Sequence, residues 1–507
     1  MGRVEAIVNR STNSVDGLTF ALGGGFLVLL CFIVILYSNG AALSLRVVFP
    51  LVTIFFTSVS LFYILMAGSR NIFEPAVPAT AMLGVLFGIR PIVMIVVGDV
   101  DYYLFVPISE HLTEAFFIGM LGTLAFLFGY HIKLGVNKWP VNMGKQLVPK
   151  YDSNKKRLHI YIAAISLVAL ILFFVYLSAG GAPWELLQMM ASGRSTALVD
   201  KVAINSEYLS VAPILSACAA ILMIADSRSE SLTGYKKIIV LFLILFPVMV
   251  FMLMGVRRFI IPSILIPIVV YYFIRNKRPS IKMVVVIAPV ILVLISAIPY
   301  MRTEGARSQA GGLTNFFEFA IKEHRELLSN ILLKHDTEMV SILSVEVGVL
   351  NEMDDFYFGR ATVGDLLIAP IPSSLFPWKP STARDLMLVD AFGSKCNATE
   401  GGLCPDFSIL GTFYQDFWYF GVVGGMFFLG VGSRWLWVKY RRDPSSMLNI
   451  ISVSCWAVFI PIIIRAGFMP AFAWFLYFLI PCVVGVFLSR KRRQRMSFNE
   501  LEDNNTG

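Results

Sequence analysis

Basic residues suited to gripping phosphate recur at the turns of an otherwise apolar chain. Arg257 and Arg258 sit in Met254-Gly-Val-Arg-Arg-Phe259, Arg302 and Arg307 in Met301-Arg-Thr-Glu-Gly-Ala-Arg307, and Arg465 in Ile464-Arg-Ala-Gly467. Guanidinium forks match phosphate oxygens in bidentate geometry and hold their charge at any relevant pH. Turns from distant parts of the chain, brought to one depth, would make a pocket for a lipid-linked diphosphate. For any one arginine the competing reading is snorkelling toward lipid headgroups. Arg360, Lys379 and Arg384 fall in a polar stretch between about residues 300 and 407, with a knot of prolines and the pair Cys396 and Cys404.

The elements that must position these residues are membrane spans. The chain has 507 residues, 57% hydrophobic and 15% charged, too little charge for the surface of a soluble protein of this size. Apolar runs of about 20 residues, the length a bilayer core of about 30 Å requires, recur throughout. The expected fold class is an all-α polytopic integral membrane protein. Continuous rather than alternating runs exclude a transmembrane β-barrel. Twelve spans are expected, over 20–37, 47–67, 76–98, 114–131, 158–178, 207–225, 237–254, 259–274, 283–299, 409–432, 447–464 and 470–488. The first run reads as a span rather than a cleaved signal. The division is a bundle over 1–299, an extracytoplasmic loop over 300–408, three further spans over 409–488 and a basic tail over 489–507.

Loop charge orients the spans. Seven Lys/Arg fall in 132–157, four in 275–282, four in 434–442 and five in 490–495, while 99–113 carries none. Both termini should then be cytoplasmic and the long polar stretch outside. The +9 net charge is this orientation bias and needs no nucleic-acid partner.

Three outward excursions follow. Residues 99–113 carry Asp99, Asp101, Glu110 and His111. The Asp99-Val-Asp101 pair is similar to the acidic pair of membrane glycosyltransferases that use polyprenyl-phosphate donors, but a solvated loop accounts for it better. Arg90, inside the third span, reads as the structural partner of a carbonyl or an acid. Residues 179–206 suggest a short helix along the membrane surface. In the long excursion, apolar spacing predicts an amphipathic helix over 316–333 and a second over about 337–350, together a cover; 359–407, rich in Gly, Pro, Asp and Ser, reads as an ordered loop rather than a helix. Cys396 and Cys404 suit a disulfide in an oxidising compartment, a metal pair being the weaker reading; Cys31, Cys218, Cys455 and Cys482 read as core. Asn397-Ala-Thr399 is formally a sequon and by default a turn. No His/Cys metal motif and no phosphate-loop sequence is present, which disfavours an ATP-driven pump.

The run Gly359-Arg-Ala-Thr-Val-Gly-Asp-Leu-Leu, the later Pro370-Ile-Pro-Ser-Ser-Leu-Phe-Pro-Trp-Lys-Pro380 and Pro405-Asp-Phe-Ser-Ile-Leu-Gly-Thr-Phe-Tyr-Gln-Asp-Phe-Trp-Tyr-Phe-Gly421 resemble the Wzy-type O-antigen polymerases, or oligosaccharide repeat-unit polymerases. The Gly255-Val-Arg-Arg258 turn and Arg465 also look like family positions. Two positions depart from the pattern: Ser373 stands where the family usually has Arg, and Thr412 where it often has Glu. The resemblance implies a membrane glycosyltransferase, GT-C-like in architecture, that works on the outer face of the bacterial cytoplasmic membrane with no cofactor and no metal. The chain growing on undecaprenyl diphosphate would be transferred to a lipid-linked repeat unit. Arg257, Arg258, Arg302, Arg307, Arg360, Lys379, Tyr414 and Arg465 would bind substrate. Asp406, Asp416, Glu304 and His324 are candidates for the base. A chain-length regulator and a flippase of the same pathway would be partners. The competing assignments are a flippase for the lipid-linked glycan and an O-antigen ligase.

Overall fold

The structure is a computed structural model that describes residues 45–67, 71–103, 105–132, 154–179, 211–227, 234–253, 257–275, 338–353, 356–368, 371, 378, 380–393 and 406–490. The expected spans 20–37 and 283–299, the surface helix in 179–206 and the amphipathic helix at 316–333 lie outside these residues.

Ten of the expected spans coincide with helices: α1 Leu45–Phe62, α2 Ala76–Val97, α3 Leu112–His131, α4 Lys155–Ala179, α5 Ile214–Asp226, α6 Gly234–Leu253, α7 Arg257–Ile274, α11 Ile409–Arg442, α12 Met447–Ala466 and α13 Phe468–Leu488. Among the described residues, eight of these are long and apolar enough to cross a membrane; α5 and α7 are shorter. In lipid the hydrophobic effect does not drive helices together, so close backbone approach must. Glycine supplies it where α3 meets α11. A side chain at Gly129 would collide with the Phe427 carbonyl, and one at Gly430 with the Phe126 carbonyl.

The described parts of the first and third excursions contain regular structure. Residues 99–113 contain an antiparallel pair, β1 Tyr102–Tyr103 with β2 Val106–Pro107. The second expected helix of the cover is present as α8 Met339–Met353, but it does not lie as a one-sided cover. Ser341, Ser344 and Glu346 are buried, because α8 is packed beside α3 and α11, and only its last turn, with Asn351 and Glu352, is exposed. The expectation of a helix-free stretch over 359–407 is overturned. A π-turn, Arg360–Gly364, runs into the short helix α9 Asp365–Ile368, and α10 spans Ala383–Phe392. The reason is local. Thr382 caps α10 by accepting from the Asp385 amide at 3.1 Å, and Ala383, Met387, Leu388 and Phe392 recur on one buried face.

The expected continuous span 409–432 is also corrected. Helix α11 is broken at Phe417 and Trp418, where φ of Trp418 is +55°. Its first limb, residues 409–416, folds back along the second. Phe413 and Gly421 touch backbone to backbone, although an unbroken helix would hold residues eight apart about 12 Å from each other.

Polar contacts sort to two ends of the bundle. At one end Arg90 pairs with Asp99 at 3.3 Å, as its reading as a structural residue requires, and Tyr103 donates to Glu338 at 3.1 Å. Ser344 donates to the Ile108 carbonyl at 2.9 Å. At the other end the Tyr130 hydroxyl donates to buried Glu74, which lies 3.9 Å from Arg434. His159 meets Asp226 there, and the Asn154 amide reaches the Ser489 carbonyl. Residues expected outside thus gather at one end and residues expected inside at the other.

Candidate active site

At the loop end four pieces of chain surround a cleft. They are the π-turn with α9, the start of α10, the first limb of α11, and the α12–α13 turn. Its walls include Asp365, Arg384, Thr412, Gln415, Gly467 and Met469. Each piece is fixed locally. Ser408 caps α11 by accepting from the Gly411 amide at 3.1 Å. Gly467 has φ of +78°, and a Cβ there would lie 3.0 Å from both the Phe407 carbonyl and Thr412 Oγ1. Only glycine fits that turn without strain.

Asp416 joins the π-turn to the membrane helix. It is fully buried, and its oxygens accept from Ala361 N at 2.8 Å, Thr362 N at 2.9 Å and Thr362 Oγ1 at 2.6 Å. Beside it Tyr357 N donates to the Gln415 carbonyl and Phe358 N to the Asp416 carbonyl. A carboxylate at exposed backbone amides is the arrangement that stabilises a helical N-terminus. The turn that carries Arg360 and Asp365 is therefore clamped to the break in α11.

The charges of the cleft are unevenly matched. Arg384 Nη2 donates to Asp406 Oδ1 at 2.6 Å, and each side chain is 33% exposed, so the pair is open to solvent. Arg384 Nε is buried and finds no hydrogen-bond partner among the described residues. Arg360 Nη2 donates to the Ser381 carbonyl at 2.7 Å, which ties the π-turn to the approach of α10. Asp365 Oδ2 accepts from Ala383 N at 2.8 Å. Burial pushes its carboxyl up to about 6, against the Ala383 amide and the Arg360 charge, which pull it down. Behind the cleft Glu346 is wholly buried against the Cα of Gly411. The Gln415 amide faces it, yet neither group completes a well-formed hydrogen bond among the described residues. Burial raises the Glu346 carboxyl well above its usual range, which favours the protonated form.

Of the residues expected at the site, Asp406 is at the cleft, Asp416 clamps it, and Arg360 is on its turn. Arg465 directly precedes Ala466 and Gly467 of its wall. Arg257 opens α7 at the same end, and the Arg258 guanidinium stands 4.7 Å from the Trp474 ring of α13. Tyr414 points elsewhere. Its hydroxyl donates to Glu114 at 3.0 Å, beside Tyr419 at 2.5 Å, and accepts from Trp418 Nε1 at 2.8 Å. Glu304, His324, Arg302, Arg307, Lys379, Cys396 and Cys404 lie outside the described residues. Sequence reasoning passed over Asp365, Glu346, Gln415 and Glu114, and named Arg384 without giving it a role. Asp365 closes the Gly359-Arg-Ala-Thr-Val-Gly run, which could have pointed to it. Nothing in the sequence singles out the others.

Helices of this length, packed through glycine contacts, define a polytopic membrane protein. The family model for the O-antigen polysaccharide polymerase Wzy matches residues 25–322, more than half of the chain, and the protein belongs to that family. No curated protein and no solved structure matches it. Membership makes it a multi-pass bacterial membrane protein with the role of a polymerising glycosyltransferase on lipid-linked oligosaccharide. The match ends before the segments that build the cleft.

Proposed function

We propose that the cleft is where glycan chains are joined. The growing chain, on undecaprenyl diphosphate, is the donor, and a single lipid-linked repeat unit is the acceptor. The loop end faces outward from the cytoplasmic membrane, with twelve spans, cytoplasmic termini and the disulfide Cys396–Cys404 outside. A chain-length regulator and a flippase would serve the same pathway. The observation that carries this reading is Arg384: a buried guanidinium nitrogen with no acceptor among the described residues, on the wall of an open cleft, beside the turn that bears Arg465. A diphosphate oxygen would complete it, and donors placed where charge develops lower the barrier to its departure without a metal. Arg257, Arg258, Arg302, Arg307, Arg360 and Lys379 extend the basic surface for the diphosphate and sugars. Asp406 holds Arg384 in place, Asp416 and Tyr414 fix the α11 break, and Glu304 and His324 remain further acid–base candidates of the outer loop.

Arg384→Ala should lower polymerisation at least about 100-fold, the scale of losing one stabilising donor, while the protein still inserts. Cells should then carry surface glycan capped at single repeat units, read as loss of the ladder on a gel. A wild-type ladder would remove the cleft from the reaction, and loss of all surface glycan with repeat units trapped inside would point to a flippase instead.

A further inference from the structure

We infer that Asp365 is the general base of the transfer, the group that takes the proton from the acceptor hydroxyl. This deepens the proposed function and rests on the cleft being the reaction site. Three acids surround that cleft, and their surroundings separate them. Asp406 spends its charge on Arg384 at 2.6 Å. Both oxygens of Asp416 are taken up by three donors of the π-turn. Asp365 is the acid on the cleft wall itself. It is 2% exposed, oriented through Oδ2 by the Ala383 amide, and pairs with no cation at bonding distance among the described residues.

The step balances without another reagent. The acceptor oxygen attacks the anomeric carbon of the donor chain and forms the glycosidic bond. The bond from that carbon to the diphosphate breaks, and its electron pair leaves with the diphosphate toward Arg384. The hydroxyl proton passes to Asp365, which then releases it to water. An acid held up to about 6 by burial is ionised at neutral pH and still a better proton acceptor than an ordinary aspartate. The charged groups acting on it are Arg360 from the π-turn and Asp385 from α10, with Arg384 adjoining. On the α11 limb the facing residues are neutral Thr412 and Gln415, and on the α13 side Met469 and Pro470.

The test is polymerisation of lipid-linked repeat units by the full-length protein in liposomes, followed against pH. The wild-type rate should rise with pH through an inflection near 6, since the base works deprotonated. Asp365→Asn should lower kcat at least about 100-fold with KM little changed and abolish the inflection. Asp365→Glu should keep part of the rate with the inflection displaced. An Asn variant with the wild-type rate and inflection overturns the assignment. Should that variant not fold, a Glu variant with an undisplaced inflection does so. Arg384→Ala in the same assay separates the two levels. If it is inactive while Asp365→Asn is active, only the base is wrong; if both are active, the cleft is not the site.

Discussion

The two ends of the bundle bury acids in opposite ways. At the end away from the loops, Glu74 is matched: it accepts from the Tyr130 hydroxyl and lies beside Arg434, whose guanidinium also stands 5.4 Å from the Tyr130 ring. At the loop end, Arg384 Nε, the Gln415 amide nitrogen and both Glu346 oxygens are buried without a well-formed partner among the described residues. A buried polar atom left unmatched costs about 1–3 kcal/mol. On the proposed reading the loop end, where the unmatched Arg384 and Gln415 nitrogens flank the cleft, is the working surface. The Glu74 contacts tie α2, α3 and α11 together, and on the proposed reading the unmatched Arg384 nitrogen receives a substrate oxygen.

The largest effect that would test this contrast is at the matched end. Glu74→Ala orphans the buried Tyr130 hydroxyl and removes the acid beside the partly exposed Arg434, and should cost up to about 3 kcal/mol, read as a fall in thermal stability in detergent. Polymer made by the surviving protein should keep its normal length. Loss of polymer at unchanged stability would make this end functional and erase the difference. Next is the clamp. Asp416→Ala orphans Ala361 N and Thr362 N and leaves Thr362 Oγ1 only the long contact to the Gly359 carbonyl, and should cost about 1–3 kcal/mol. It should also slow polymerisation by loosening the turn that bears Arg360 and Asp365, with Asp416→Asn falling between. Normal activity with lost stability would confine Asp416 to folding. Smallest is Glu346→Gln. Because burial already favours the neutral acid, the isosteric amide should shift stability by less than about 1 kcal/mol. A large loss of activity at normal stability would mean that the acid proton itself is used.

The spans were legible because length and apolarity alone decide them, and turns expected on opposite sides from their charge lie at opposite ends of the described bundle. Arg90 could be read as structural because a buried guanidinium needs an acid close by. The α11 break could not be read, since Phe417-Trp418 has neither Gly nor Pro and looks like more span. Its cause is tertiary: the Asp416 clamp and the small face of Gly421. Helix α10 hid behind the Gly and Pro around it, although Thr382 and its apolar spacing were in view. The arginine pattern pointed to basic residues near the cleft, Arg360 and Arg465 among them, but the residues that line it, Asp365 and Arg384, acquire meaning only when α9, α10 and α11 meet.

The Arg384–Asp406 contact has one more consequence. It joins two residues 22 apart in sequence, so it acts as a clasp at the neck of the chain between them. A clasped neck isolates the cleft from what lies beyond it, because lengthening a closed loop costs only the slow logarithm of its size. This makes the stretch after α10 the natural place to vary the long loop, whether by an epitope tag or by sequence from a relative with another repeat unit, without disturbing the walls of the cleft.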